Sequence, residues 1–111
     1  MQTVKRGEVW WVAFDPAVGG EIRKTRPAVI VSNNAANTAL NRVIVVPLSS
    51  QTGKLYPGEA KVQLEGRESK AMADQICVAS KERLRTCMGA LSPQDLKAVE
   101  DAILVQLGIR R

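Results

Sequence analysis

The run Arg23-Lys24-Thr25-Arg26 closes a glycine-containing loop and enters an apolar segment, Pro27-Ala28-Val29-Ile30-Val31. Guanidinium groups stay charged at any workable pH and match phosphate oxygens two at a time. Ser49 and Ser50 end a second apolar segment, and Asp74 stands late in a third. Three strand ends carrying Arg, Ser and Asp are able to converge on a phosphodiester. Taken alone, Arg23 and Lys24 are better explained as a solvated loop face, as charge runs usually are.

Residue type removes most other chemistry. The chain has no histidine, which excludes Ser-His-Asp and Cys-His sites and any imidazole acid or base. Its two cysteines, Cys77 and Cys87, cannot complete a four-ligand zinc site without histidine. They read as reduced core residues of a cytoplasmic protein. Neither a G-x-x-x-x-G-K-[ST] loop nor a G-x-G-x-x-G turn after a strand is present. Of four aromatic residues, Trp10, Trp11 and Phe14 crowd together, so Trp10 and Trp11 read as core and sheet-face packing rather than an extended base-stacking platform.

The elements that must position these residues are mostly strands. Residues 8–14 (EVWWVAF), 26–32 (RPAVIVS) and 43–48 (VIVVPL) are apolar and β-rich. Pro27 makes Arg26 extended and sets the pair at a strand entrance. Residues 15–25 and 49–58 are rich in turn residues and read as loops. The stretch 33–42 reads as a loop with one helical turn. Residues 59–64 alternate polar and apolar like a half-exposed strand, and 69–74 and 85–91 are weaker strands around a short turn at 81–84. One long helix follows. Ser92 is its N-cap, Pro93 its first residue, Asp95 the reach-back acid of a capping box and Gly108 its stop. Leu96, Val99, Ile103 and Leu107 form its buried stripe. With only one long helix, a helix-turn-helix is excluded. The expected fold is mainly β, a small twisted barrel-like sheet with a C-terminal helix packed on it.

At 111 residues, with no linker or repeat, the chain is expected to form one domain, 1–111. Apolar residues at 45% and charged residues at 24% describe an ordinary globular composition. No apolar run reaches the roughly 20 residues of a membrane span, and the N-terminal residues lack the apolar core of a signal peptide. Sixteen basic against 11 acidic side chains leave +5, which suits an anionic partner such as nucleic acid and equally a solubilising surface.

The ordered blocks Arg6-Gly7-Glu8-Val9-Trp10, Phe14-Asp15-Pro16, Gly19-Gly20-Glu21, Thr25-Arg26-Pro27-Ala28-Val29, Val46-Pro47-Leu48-Ser49-Ser50, Tyr56-Pro57 and Ala73-Asp74-Gln75-Ile76 carry a resemblance. The chain resembles the MazF/PemK family of toxin endoribonucleases over essentially its whole length. The resemblance implies an SH3-like barrel-type fold and a two-fold homodimer. It implies a cognate antitoxin partner and metal-independent cutting of single-stranded RNA, without a cofactor. The attacking group would be the RNA's own 2′-hydroxyl, leaving a 2′,3′-cyclic phosphate and a 5′-hydroxyl. Carried over by position, the catalytic arginine is Arg26, the strand-end hydroxyl Ser49, the loop glutamate Glu21 and the aspartate of the D-Q pair Asp74. RNA contacts are expected from Arg23, Lys24, Thr25, Ser50, Lys54 and Tyr56. Some relatives place His where Gly20 stands and Arg where Met72 stands, so the proton acceptor stays open between Asp74 and Glu21. Arg26 is a poor base, because a guanidinium keeps its proton.

Two other readings compete. A gyrase-poison toxin of the same fold, typified by CcdB, ends in Trp-Gly-Ile, where this chain has Leu107-Gly108-Ile109. A non-catalytic SH3-like module binding nucleic acid or protein is equally compatible with the charge, and turnover of RNA separates it from an enzyme.

Overall fold

The computed structural model describes residues 3–14 and 25–110. They form β1 (Glu8–Ala13), β2 (Thr25–Ile30), α1 (Asn34–Ala39), β3 (Arg42–Ser49), β4 (Glu59–Leu64), β5 (Arg67–Met72), β6 (Cys77–Ser80), β7 (Leu84–Ala90) and α2 (Pro93–Leu107), with 3₁₀ turns at Ala73–Gln75 and Lys81–Arg83. The strands make one antiparallel sheet in the order β4-β5-β3-β2-β1-β7, with β6 also on β3. This is the expected barrel-type curled sheet with a C-terminal helix.

Period-two alternation divides the apolar residues between two faces. Val9, Val29, Val46, Leu48, Val62 and Ala71 pack with Val99 and Ala102 of α2 on one face. Trp10, Val12, Ala28, Ile30, Val43 and Val45 make a second cluster on the other face. The near-continuous apolar runs of β1, β2 and β3 follow from burial on both sides. Each fully buried valine in these clusters is worth about 2 kcal/mol relative to exposure.

The middle strand β3 changes partner along its length. Arg42 to Val45 pair with β6, whereas Leu48 and Ser49 pair with β5. Pro47, which cannot donate to a ladder, lies between these two pairings on that edge. The strand β6 was not expected from the sequence. Four residues bounded by turns carry too short a pattern to show alternation. Along β1 and β7 the register shifts between the Val9–Gly89 and Trp10–Cys87 pairs. The extra β7 residue is Met88, and bulges of this kind re-aim side chains.

The Arg6-Gly7-Glu8 motif is structural. Arg6 Nε donates to Val31 O at 3.0 Å, and its guanidinium meets Glu100 of α2 at 2.7 Å. Gly7 has φ +93° and exchanges backbone bonds with Ile30 and Leu91. Glu8 accepts from Lys5 N and Trp10 Nε1.

Four expectations are corrected. Asp95 does not reach back to Ser92. The Ser92 hydroxyl accepts from Asp95 N at 3.1 Å, while the Asp95 carboxylate accepts from Gln63 N of β4 at 2.8 Å, so the acid ties helix to sheet. Leu107 is 53% exposed, and the second buried position of the helix is Ala102, one turn beyond Val99 on the same face. The weaker strand expected over 69–74 runs instead over Arg67–Met72, so Asp74 sits on the 3₁₀ turn that follows. Cys77 is only half-buried, packed against the second cluster, and Cys87 is exposed, so Cys87 is not a core residue.

Candidate active site

A cleft of about 520 Å³ opens across the entrance of β2, the end of β3 and the β4–β5 hairpin. Arg26, second residue of β2, pairs with Val12, and Pro27 pairs with Trp11. The side chain of Arg26 lines the cleft. Its Nε is buried and lacks a hydrogen-bond partner among the described residues. An unmet buried donor costs about 1–3 kcal/mol, more for a charged group. Such a group calls for a partner, and a ligand in the cleft is able to supply one.

Ser49 ends β3 beside Arg26 in the same cleft. Its Oγ accepts from Gln51 N at 3.1 Å. A hydroxyl has one proton to give, so the Ser49 O–H remains able to donate into the cleft. Ser50 and Gln51 follow it along the lining. One flank is formed by Trp11 and Met88, the other by Leu64, Glu65 and Arg67. The arrangement offers two guanidinium groups, one carboxylate, several hydroxyls and an indole. Such a set is able to bind an anionic ester and the ring attached to it.

The remaining expected residues are distributed less compactly. Thr25 is exposed at the first position of β2, opposite Ala13, and does not line the cleft. Asp74 is exposed on its 3₁₀ turn and is also absent from the lining. Lys54 and Tyr56 lie in the β3–β4 connection outside the cleft, with the Lys54 ammonium 5.2 Å from the Tyr56 ring centroid. Glu21, Arg23 and Lys24 lie outside the described residues.

Several cleft residues escaped the sequence reading. Trp11, read as packing, is 38% exposed and presents its indole to the cleft. Arg67 and Glu65 enter through the hairpin turn, where Leu64 pairs with Arg67. The Glu-Gly between two alternating strands signals a tight hairpin, but not the direction its tip faces. Lys70 pairs with Ser49 across β3 and β5. Its nearly buried ammonium donates to Lys54 O and Glu59 Oε1, each at 3.1 Å, and lies 5.7 Å from the Tyr56 ring centroid. Glu59 Oε1 also accepts from Tyr56 N at 2.8 Å. Lys70 and Glu59 therefore pin the β3–β4 connection next to Ser49.

Among the described residues, no three His, Cys, Asp or Glu side chains are grouped to hold a metal ion. No helix among them is long and apolar enough to cross a membrane.

Comparison with known proteins adds four findings. Residues 5–107 match the family described as PemK-like, MazF-like toxin of type II toxin-antitoxin system. The chain is 35% identical over 115 aligned positions to Endoribonuclease MazF9 of Mycobacterium tuberculosis, covering 96% of this chain and 98% of that protein. It is 34% identical over 103 positions to Endoribonuclease toxin MazF of Escherichia coli, covering 92% of each. Among solved structures, an endoribonuclease in complex with its cognate antitoxin from a Mycobacterial species superposes with a TM-score of 0.80 at 26% identity, over 97% of this chain and 98% of that one.

Proposed function

The chain belongs to the PemK-like, MazF-like toxins of type II toxin–antitoxin systems, and from that membership we propose that it is an endoribonuclease toxin cutting single-stranded RNA at short sequences. The observation that carries this reading is Arg26 Nε, buried and without a hydrogen-bond partner among the described residues, in a cleft shared with the Ser49 hydroxyl, whose proton remains available to donate.

The reaction is transfer of the phosphoryl group within the RNA. The 2′-oxygen 5′ to the cut attacks phosphorus, the bond to the 5′-oxygen breaks, and that oxygen takes a proton. The products are a 2′,3′-cyclic phosphate and a 5′-hydroxyl. Negative charge grows on the non-bridging oxygens, where a preorganised guanidinium acts most strongly. Arg26 takes two of those contacts, and Ser49 donates one hydrogen bond. The carboxylate that removes the 2′-proton is Glu21 or Asp74. Arg23, Lys24, Thr25, Ser50, Lys54 and Tyr56 contact flanking RNA, and Trp11 supplies a face for one base. Metal and cofactor have no part in this scheme.

We read residues 1–111 as one toxin domain that acts in the cytoplasm as a homodimer. Ile44 and Val78, paired on β3 and β6, are 40% and 63% exposed, and a second copy covering them would extend a small core. The partner is a cognate antitoxin whose acidic, disordered segment folds over the RNA cleft and inhibits by competition, since the same cations serve both ligands.

The test is cleavage of RNA by purified protein. A 2′-deoxy nucleotide 5′ to the cut should abolish cleavage there, DNA should be inert and EDTA without effect. Cutting of the 2′-deoxy substrate, or activity lost in EDTA and restored by magnesium, would show a different mechanism.

A further inference from the structure

The tip of the β4–β5 hairpin is built unusually. Leu64 and Arg67 close the ladder, leaving Glu65 and Gly66 as a two-residue turn with φ +51° and +76°. Both positions require the left-handed region, where short Asn, Asp or Gly is the normal first residue. Glu is a poor choice there, because its carboxylate is too far from its own backbone to compensate locally. A residue held at positive φ against its preference points to a use for its side chain.

That side chain lines the cleft that holds Arg26 and Ser49, and so does Arg67. Neither has a hydrogen-bond or ion-pair partner among the described residues, although the neighbouring Glu68 is paired with Lys61. The turn thus presents an uncommitted carboxylate and an uncommitted guanidinium side by side, both exposed at the mouth of the cleft.

We infer that this hairpin tip selects the RNA sequence: Glu65 reads the Watson–Crick edge of one base beside the cut, and Arg67 holds the phosphate next to it. The inference rests on the ribonuclease reading of the cleft. An ionised carboxylate only accepts hydrogen bonds. It therefore fits a base edge with two donors, and guanine offers N1–H and the N2 amino group in parallel. Uracil presents one donor between two carbonyls, which repel the carboxylate. Bases in single-stranded RNA are recognised on this edge once unstacked. Arg67 cannot distinguish bases through a phosphate, so its contribution is affinity in any sequence.

The experiment maps 5′ ends released from a random-sequence RNA pool by wild type, Glu65→Gln, Glu65→Ala and Arg67→Ala, each checked for unchanged circular dichroism. Wild type should prefer guanine at one position flanking the cut. Glu65→Ala should lower that preference roughly 5- to 150-fold, the range of one bidentate base contact, and Glu65→Gln should shift it toward another base. Arg67→Ala should keep the map, raise KM and flatten the dependence of log affinity on log salt by about 0.7, one phosphate contact on a single strand. Identical maps and identical KM in all four proteins would overturn the inference while leaving the ribonuclease reading intact. A wild type that cuts no RNA would overturn that reading, and the hairpin's role with it.

Discussion

Among the described residues Arg26 keeps a buried Nε without a hydrogen-bond partner, and its replacement tests the site most directly. Arg26→Ala should lose most RNA cleavage while the fold persists, and Arg26→Lys should recover little, because lysine keeps the charge without the planar fork. Full activity of Arg26→Ala with unchanged circular dichroism would remove the central residue of the mechanism. Ser49→Ala removes one neutral donor; a loss of about 1–3 kcal/mol corresponds to roughly 5- to 150-fold in kcat/KM. The two thiols should also differ. Burial pushes the Cys77 thiol up from its ordinary range, which lowers its thiolate fraction at any pH below that range, and only the thiolate reacts. Cys87 is exposed. Brief treatment with iodoacetamide near pH 8 should label Cys87 well before Cys77, as peptide mass spectrometry would read.

At the scale of elements, α2 is fastened by polar contacts at its first turn as well as by Val99 and Ala102. Ser92 caps its N-terminus, and Asp95 accepts from Gln63 N at the outer edge of β4. Asp95→Ala breaks the tie between layers, and urea unfolding should register a loss of about 1–2 kcal/mol. Ser92→Ala should cost about 1 kcal/mol. The hairpin tip runs the other way. Glu65→Asn suits a left-handed turn position better, so stability should rise by up to about 1 kcal/mol while sequence discrimination in RNA cleavage falls. A substitution that both stabilises the fold and sharpens cleavage would contradict a functional cause for the strained glutamate.

For the whole molecule, a chain of this size leaves exposed apolar residues on β3 and β6, and self-association is the economical way to cover them. Sedimentation at micromolar concentration should give a species of twice the 12.1 kDa chain mass; monomer alone would refute the dimer. The charge excess of +5 acts at the same scale. Affinity for RNA and for an acidic antitoxin segment should both fall as salt rises. An antitoxin that bound tightly and left RNA cleavage unaffected would contradict competition for one set of cations.

The alternation of apolar residues, the Arg26-Pro27 strand entrance and the Ser92-Pro93 to Gly108 helix signals are local, and so the main strands, the barrel-type sheet with its helix, and the places of Arg26 at a strand entrance and Ser49 at a strand end were legible in the sequence; the catalytic roles proposed for those two residues rest on the family resemblance. Backbone propensity and side-chain period act over a few residues, and these features need no more. What the tertiary structure decided was which strand ends meet. Register shifts on β7, the change of partner along β3 and the two-residue turn after β4 bring Trp11, Met88, Glu65 and Arg67 to the cleft. They also leave Asp74 on a turn outside it and turn Asp95 toward β4. Each of these depends on pairings between residues distant in the chain. A shift of one residue in such a pairing moves every side chain of the strand to the opposite face.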